Sequence, residues 1–223
     1  VNSVQEKEHS MGNRVRIDIR DVTRIAVFAA IIAVLGLPGA IPVFGAVPIT
    51  AQTLGVMLAG AVLGSWRGAA AVAVFEVLVL LGLPLLSGGY GGVGVFVGPS
   101  AGYLIGWIFG AFVIGAIVRA DRQNPTWWRT ALGCLAGGIG VVYAFGIPVQ
   151  AFVTQIPLGP TALSSVVFLP GDALKVVVAT LVTMALWRAY PQGFRRGATP
   201  AAPVVAVPAV ETESPRAAVS RPE

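Results

Sequence analysis

Long apolar runs, broken at glycine and proline and separated by short arginine-bearing stretches, dominate the middle of the chain. Crossing the hydrocarbon of a bilayer takes about 20 mostly apolar residues as a helix, somewhat fewer or more with tilt. Six runs approach that length, at residues 25–44, 52–64, 68–83, 102–118, 130–147 and 170–187. The pattern predicts an all-α integral membrane protein whose six transmembrane helices fill residues 25–187. Pro38-Gly39 kinks or breaks the end of the first run. The second run is short. Pro48-Ile49-Thr50 ahead of it reads as non-helical backbone buried in protein, which lipid would not tolerate. Pro170 suits the first turn of the sixth helix, and the apolar residues 161–169 before it are available to extend it.

Charge placement tests the count independently. Arg14, Arg16, Arg20 and Arg24 precede the first run, and Arg67 lies between the second and third. Arg119, Arg122 and Arg129 lie between the fourth and fifth, and Arg188, Arg195 and Arg196 follow the sixth. With six spans, all of these fall on one side of the membrane, which the positive-inside rule makes cytoplasmic. Residues 45–51, 84–101 and 148–169, the loops on the opposite side, contain no Lys or Arg. Both termini are therefore expected in the cytoplasm of a multi-pass cell-membrane protein. Residues 1–24 are read as a polar cytoplasmic segment without the short apolar core of a cleaved signal peptide. Residues 188–223 are read as a disordered cytoplasmic tail, because five Pro in its last 27 residues prevent a further span.

Composition agrees. The chain of 223 residues is 56% hydrophobic and only 11% charged, against about 25% charged in a soluble domain. A mean hydropathy of +0.81 excludes an ordinary soluble globule. The net charge of +5 is assigned to topology and to contact with anionic lipid, not to nucleic acid. Cys134 reads as a small buried hydrophobe and His9 as a solvated residue. One Cys and one His form no disulfide and no usual zinc or haem ligand set, so no metal site or cofactor is expected.

Three ionisable residues lie inside the predicted spans: Glu76, Asp172 and Lys175. Each costs on the order of 3 kcal/mol at a helix centre on insertion scales, so each needs a partner or a function. Asp172 and Lys175, three residues apart, share one helix face. They form either a salt bridge that lets the helix insert or a polar clamp for a ligand with both N–H donors and acceptor oxygens. Pro170-Gly171-Asp172 opens this helix at the outer side, which favours the clamp. Glu76 carries protons, lines the interior, pairs with Lys175 or makes a hydrogen bond within the helices, and no role is assigned to it.

The outer loop 84–101 holds Ser87-Gly-Gly-Tyr-Gly-Gly-Val-Gly and then Gly98-Pro-Ser-Ala-Gly-Tyr-Leu104. No Lys-Ser/Thr follows the glycines, so this is not a phosphate loop. It is either a connector or a lid whose backbone approaches a ligand closely. Tyr90 and Tyr103 offer rings for a flat ligand. Gly98, Gly102, Gly106 and Gly110 make a smooth face for close helix packing, and Ala26/Ala30 with Ala29/Ala33 do the same in the first helix. Neither of the two lysines, Lys7 and Lys175, lies in a Walker motif, and no HExxH or GxSxG is present, so no ATPase or hydrolase chemistry is expected.

Three ordered motifs carry a resemblance: Val47-Pro-Ile-Thr-Ala-Gln-Thr-Leu-Gly55, the 88–94 glycine loop with Gly98-Pro-Ser-Ala-Gly-Tyr-Leu104, and Pro170-Gly-Asp-x-x-Lys175. Over about residues 20–187 the chain resembles the BioY family, the biotin-specific S components of energy-coupling-factor (ECF) transporters. The resemblance implies capture of biotin at the outer face and association with a transmembrane coupling protein and a pair of cytoplasmic ATPases. ATP is then used only by the partner subunits, and biotin is cargo, not a cofactor. It also implies that Ala26, Ala30 and Ala33 dock the coupling protein and that uptake involves toppling of the S component. Biotin's ureido ring has two N–H donors and one strong acceptor. On this reading Asp172 accepts from the ureido N–H groups, and Lys175 serves either the ureido oxygen or the carboxylate. Gln52 and Tyr103 complete the polar rim, with Tyr90, Gly91 and the glycine backbone closing above. Glu76 departs from the apolar third helix expected of the family. The alternatives are an S component for another vitamin, a self-sufficient proton-coupled transporter using Glu76 or Asp172, and, least favoured, a membrane enzyme.

Overall fold

The structure is a computed structural model, and it describes residues 18–39, 47, 49–120 and 125–191. Among these residues the chain forms six longer helices, a separate short 3-10 turn and no extended strand. Helix α1 spans Ile19–Val34, α2 spans Gln52–Leu63 and α3 spans Ser65–Leu80. Helix α4 spans Ala101–Val118, α5 spans Trp127–Thr154 and α6 spans Leu158–Ala189. By length and composition α4, α5 and α6 are long and apolar enough to cross a membrane. The expectations for residues 1–17, for the tail beyond 191, and for His9 and the 40–44 end of the first run lie outside the described residues.

Local chemistry explains where the boundaries move. Helix α1 starts before residue 25 because Asp18, in extended conformation, caps it and accepts from Arg20 N at 3.4 Å. It ends at Val34, and turns at 35–38 follow, since the residue before Pro38 is steered away from helical backbone. Helix α2 matches its prediction. Its second half, Ala59–Leu63, is a π turn, and Gly64 (φ 86°) then swings the chain directly into α3.

The expected outer loop 148–169 is a correction: it is helical apart from residues 155–157. Pro148 sits inside α5. Helix α6 begins at Leu158, runs through a 3-10 turn at Val166–Phe168 and resumes at Leu169. Proline and glycine read as breakers, but apolar backbone in a membrane-type fold satisfies its polar groups best by staying helical. Loop 84–101 is also more ordered than a plain connector. Leu86 and Tyr90 form an antiparallel bridge, Gly92 N donates to Val79 O at 2.7 Å, and Val93–Phe96 is a 3-10 turn.

Helix α4 runs through the centre, with Leu104, Trp107, Ala111 and Ile114 buried on it. The expected glycine face packs within the molecule, against α5: a Cβ on Gly110 would lie 2.6 Å from Gly137 O in the π turn Ala136–Val141. Cys134 is buried and free, in a core cluster with Met57, Ile114 and Val176. At one end of the bundle Arg67 pairs with Asp21 at 2.9 Å, joining the starts of α1 and α3. At the close of α2, Arg119 from the end of α4 donates to the Val62 carbonyl.

Candidate functional site

A cavity of about 660 Å³ lies among the start of α2, the 84–101 loop, the first half of α4, the middle of α5 and α6. That volume is in the range of small-molecule sites, roughly 300–1,000 Å³. The residues Phe168, Asp172 and Lys175 line it, spaced four and three apart on one face of α6.

Asp172 and Lys175 form a salt bridge, one of the two arrangements left open by the sequence: Lys175 Nζ lies 2.9 Å from Asp172 Oδ1. Lys175 also donates to Thr53 Oγ1 at 2.8 Å, and the Tyr143 hydroxyl donates to Asp172 Oδ2 at 2.6 Å. All four residues line the cavity. The buried ion pair is thus supported by neutral partners from two other helices, the condition for holding charges in a low-dielectric interior. The cluster sets a carboxylate acceptor beside an ammonium donor. That pattern complements any group in which an N–H stands next to a C=O.

The other expected site residues divide. Tyr103 lines the cavity but its hydroxyl points to a buried pair, donating to Gln150 Oε1 at 2.8 Å and lying 3.3 Å from Ser165 Oγ. Tyr90, in the 84–101 loop, is on the lining and 65% exposed. Gln52 also lines the cavity, yet its amide is fully engaged with backbone. Nε2 donates to Ile32 O at 3.2 Å and Leu85 O at 3.0 Å, and Oε1 accepts from Ser87 N at 3.0 Å. It latches the outer loop to the last turn of α1, where a helix leaves carbonyls without partners. Gly36 must stay small for this latch, since a Cβ there would lie 2.8 Å from Leu85 O and 3.0 Å from Gln52 Nε2. Gly91 is not on the lining; its α-carbon packs on the Leu83 carbonyl and leaves no room for a Cβ.

Glu76 is buried outside the cavity lining, and its Oε1 has no hydrogen-bond partner among the described residues. The Glu76–Lys175 pairing, one of the options open from sequence, is not formed. Ser87 Oγ and Trp107 Nε1 are likewise buried without partners, and both residues line the cavity. On α1, Ala26 and Ala30 are exposed, whereas Ala33 leans on the core beside Ala29 and Ile32. Among the described residues no three His, Cys, Asp or Glu side chains gather as a metal-binding group.

The family model described as the BioY family matches residues 7–192. The chain belongs to the BioY family. Within that family it is 50% identical over 181 residues to a protein named biotin transporter BioY from Rhodobacter capsulatus, covering 76% of this chain and 95% of the relative. A biotin transporter BioY from Rhizobium etli is 47% identical over 178 residues, covering 77% and 95%. A crystal structure of the S-component for biotin from an ECF-type ABC transporter superposes with a TM-score of 0.74 at 34% identity, covering 82% of this chain and 99% of that one. The BioY match takes in every element from α1 to α6, so the cavity and its polar cluster fall wholly within it.

Sequence reasoning missed Tyr143 and Thr53. Thr53 follows Gln52 in a polar helix start and could have been included with it. Tyr143 offered no signal, being one aromatic in an apolar run.

Proposed function

We propose that this chain is a biotin-binding S component: it captures biotin in the cavity at the outer face and delivers it through an ECF-type transporter. The observation that carries the reading is the Asp172–Lys175 pair, held by Tyr143 and Thr53 inside the cavity of a BioY-family protein. In a cyclic urea each N–H lies beside the C=O on one outward edge. Asp172 accepts from one ureido N–H, and the remaining hydrogen of Lys175 Nζ donates to the ureido oxygen. One edge of the ring thus meets an acceptor and a donor side by side, with charge-assisted hydrogen bonds. The apolar thiophane ring packs among Leu86, Val95, Leu104, Trp107 and Val142, which line the same cavity. Tyr90 and the outer loop close over the mouth.

On this reading all six helices are transmembrane, the cavity end faces outward, and both termini lie at the cytoplasmic side of the cell membrane. Arginine contacts support it. Arg67–Asp21 and Arg119–Val62 tie the α1 and α3 starts, and the α2 and α4 ends, into the arginine-bearing end that the positive-inside rule makes cytoplasmic. The chain is a transport component and not an enzyme. ATP hydrolysis belongs to a cytoplasmic ATPase pair, joined through a transmembrane coupling protein that docks on the α1 face bearing Ala26 and Ala30. Titration calorimetry of biotin into the detergent-solubilised protein tests the reading. The wild type binds, and Asp172→Asn weakens binding at least about tenfold, because it leaves Lys175 buried beside a neutral group. Wild-type protein that binds no biotin refutes the reading, and an Asp172→Asn variant with unchanged affinity refutes the assignment of Asp172 to the ureido N–H.

A further inference from the structure

Each oxygen of the Asp172 carboxylate already has one protein donor: Lys175 Nζ on Oδ1 and the Tyr143 hydroxyl on Oδ2. An ionised carboxylate offers about four lone-pair sites, so one site on each oxygen stays open. Tyr143 is itself supported. Its ring meets that of Tyr103 edge-on, with centroids 6.2 Å apart and planes at 82°, the favoured arrangement for an aromatic pair. The Tyr103 hydroxyl is then tied to Gln150 and Ser165. Both of these are buried and off the cavity lining. A line of contacts therefore runs from the α5–α6 packing, through two tyrosines, to the carboxylate.

Removing the Tyr143 hydroxyl frees the carboxylate to turn about its Cβ–Cγ bond and present both oxygens to Lys175. An ammonium gains from a second oxygen at close range. With Thr53 holding one hydrogen, the collapsed pair would occupy the last ammonium hydrogen, the one that the urea oxygen requires. We propose, resting on the biotin reading above, that Tyr143 is a positioning residue that splits the Asp172–Lys175 pair. It keeps one ammonium hydrogen open to the ligand beside the Asp172 acceptor, and Tyr103, Gln150 and Ser165 form the buried support behind it.

A double-mutant cycle on the full chain in detergent tests this, with biotin affinity measured for the wild type, Tyr143→Phe, Asp172→Asn and the double variant. Phe keeps the ring and its packing, and the unfolding temperature without biotin checks that each variant folds alike. Tyr143→Phe weakens biotin binding about tenfold, the scale of one charge-assisted hydrogen bond. In the Asp172→Asn background the same change costs little more, because a residue acting through Asp172 loses its effect when the carboxylate is gone. Additive losses, or a Tyr143→Phe variant with wild-type affinity, overturn the proposal while leaving the biotin reading intact. Wild-type affinity in Asp172→Asn overturns the placement of Asp172 against the ureido edge and the proposal with it, whereas wild-type protein that binds no biotin overturns the biotin reading. Where Asp172→Asn binds too weakly to complete the cycle, Gln150→Leu replaces it: it weakens binding about threefold alone and adds nothing to Tyr143→Phe. Additivity there again overturns the proposal.

Discussion

Replacing Gln52 with Leu keeps side-chain bulk at a site with 0% exposure and deletes all three hydrogen bonds of the amide. The Ile32 and Leu85 carbonyls and the Ser87 N–H then lose those partners. A buried polar group left unsatisfied costs about 1–3 kcal/mol, so the upper bound for three is about 9 kcal/mol. Water reaches the outer loop more readily than the core, and an effect near the lower bound, about 3 kcal/mol, is expected. The cost falls on the segment that the amide holds, so it appears as local opening and not global unfolding. Three kcal/mol corresponds to about a 100-fold faster exchange of the Ser87 amide, at tenfold per 1.4 kcal/mol. Hydrogen-exchange mass spectrometry of residues 85–98, alongside α4 as an internal control, reads this directly. Biotin affinity should fall in the same preparation, because Leu86, Ser87, Gly88 and Tyr90 line the cavity. Unchanged exchange in 85–98 together with lost biotin binding would refute the latch and make Gln52 a direct ligand contact.

Gly110→Leu should abolish the close α4–α5 contact, where even a Cβ lies 2.6 Å from Gly137 O; backbone cannot yield cheaply, so the monodisperse peak on fluorescence size exclusion should be lost. Ala26→Trp and Ala30→Trp change exposed positions. They should leave biotin affinity within about twofold, since surface changes away from special features cost at most about 0.5 kcal/mol, while blocking co-purification with the coupling module. Ala33→Trp, which packs on the core, should instead lower the yield of folded protein. Wild-type assembly by Ala26→Trp and Ala30→Trp would move the docking surface elsewhere.

What was legible in the sequence follows from what is costly in a membrane. Asp172 and Lys175 could be paired from sequence because two charges in an apolar run demand partners and three-residue spacing supplies them. The small-residue stripe of α4 was readable because only glycine lets backbones approach so closely. Tyr143 was not readable. It lies 29 residues from Asp172, and an aromatic in an apolar helix reads as packing until the fold turns its hydroxyl onto a carboxylate. Gln52 was expected on the polar rim of the site and not as a latch, since its carbonyl partners at Ile32 and Leu85 carry no side-chain signature. Residues 148–169 read as loop because they lie between the fifth and sixth predicted spans and carry no Lys or Arg. They are helical apart from 155–157, which meets the need of buried backbone for internal hydrogen bonds.

The first turn of α2 shows why the site could not be assembled from motifs alone. Gln52 and Thr53 are adjacent, and successive residues on a helix do not face the same way. Gln52 turns to the outer loop and the end of α1, while Thr53 turns to Lys175 on α6. One turn of helix therefore fixes both the cover of the cavity and one corner of its ion pair.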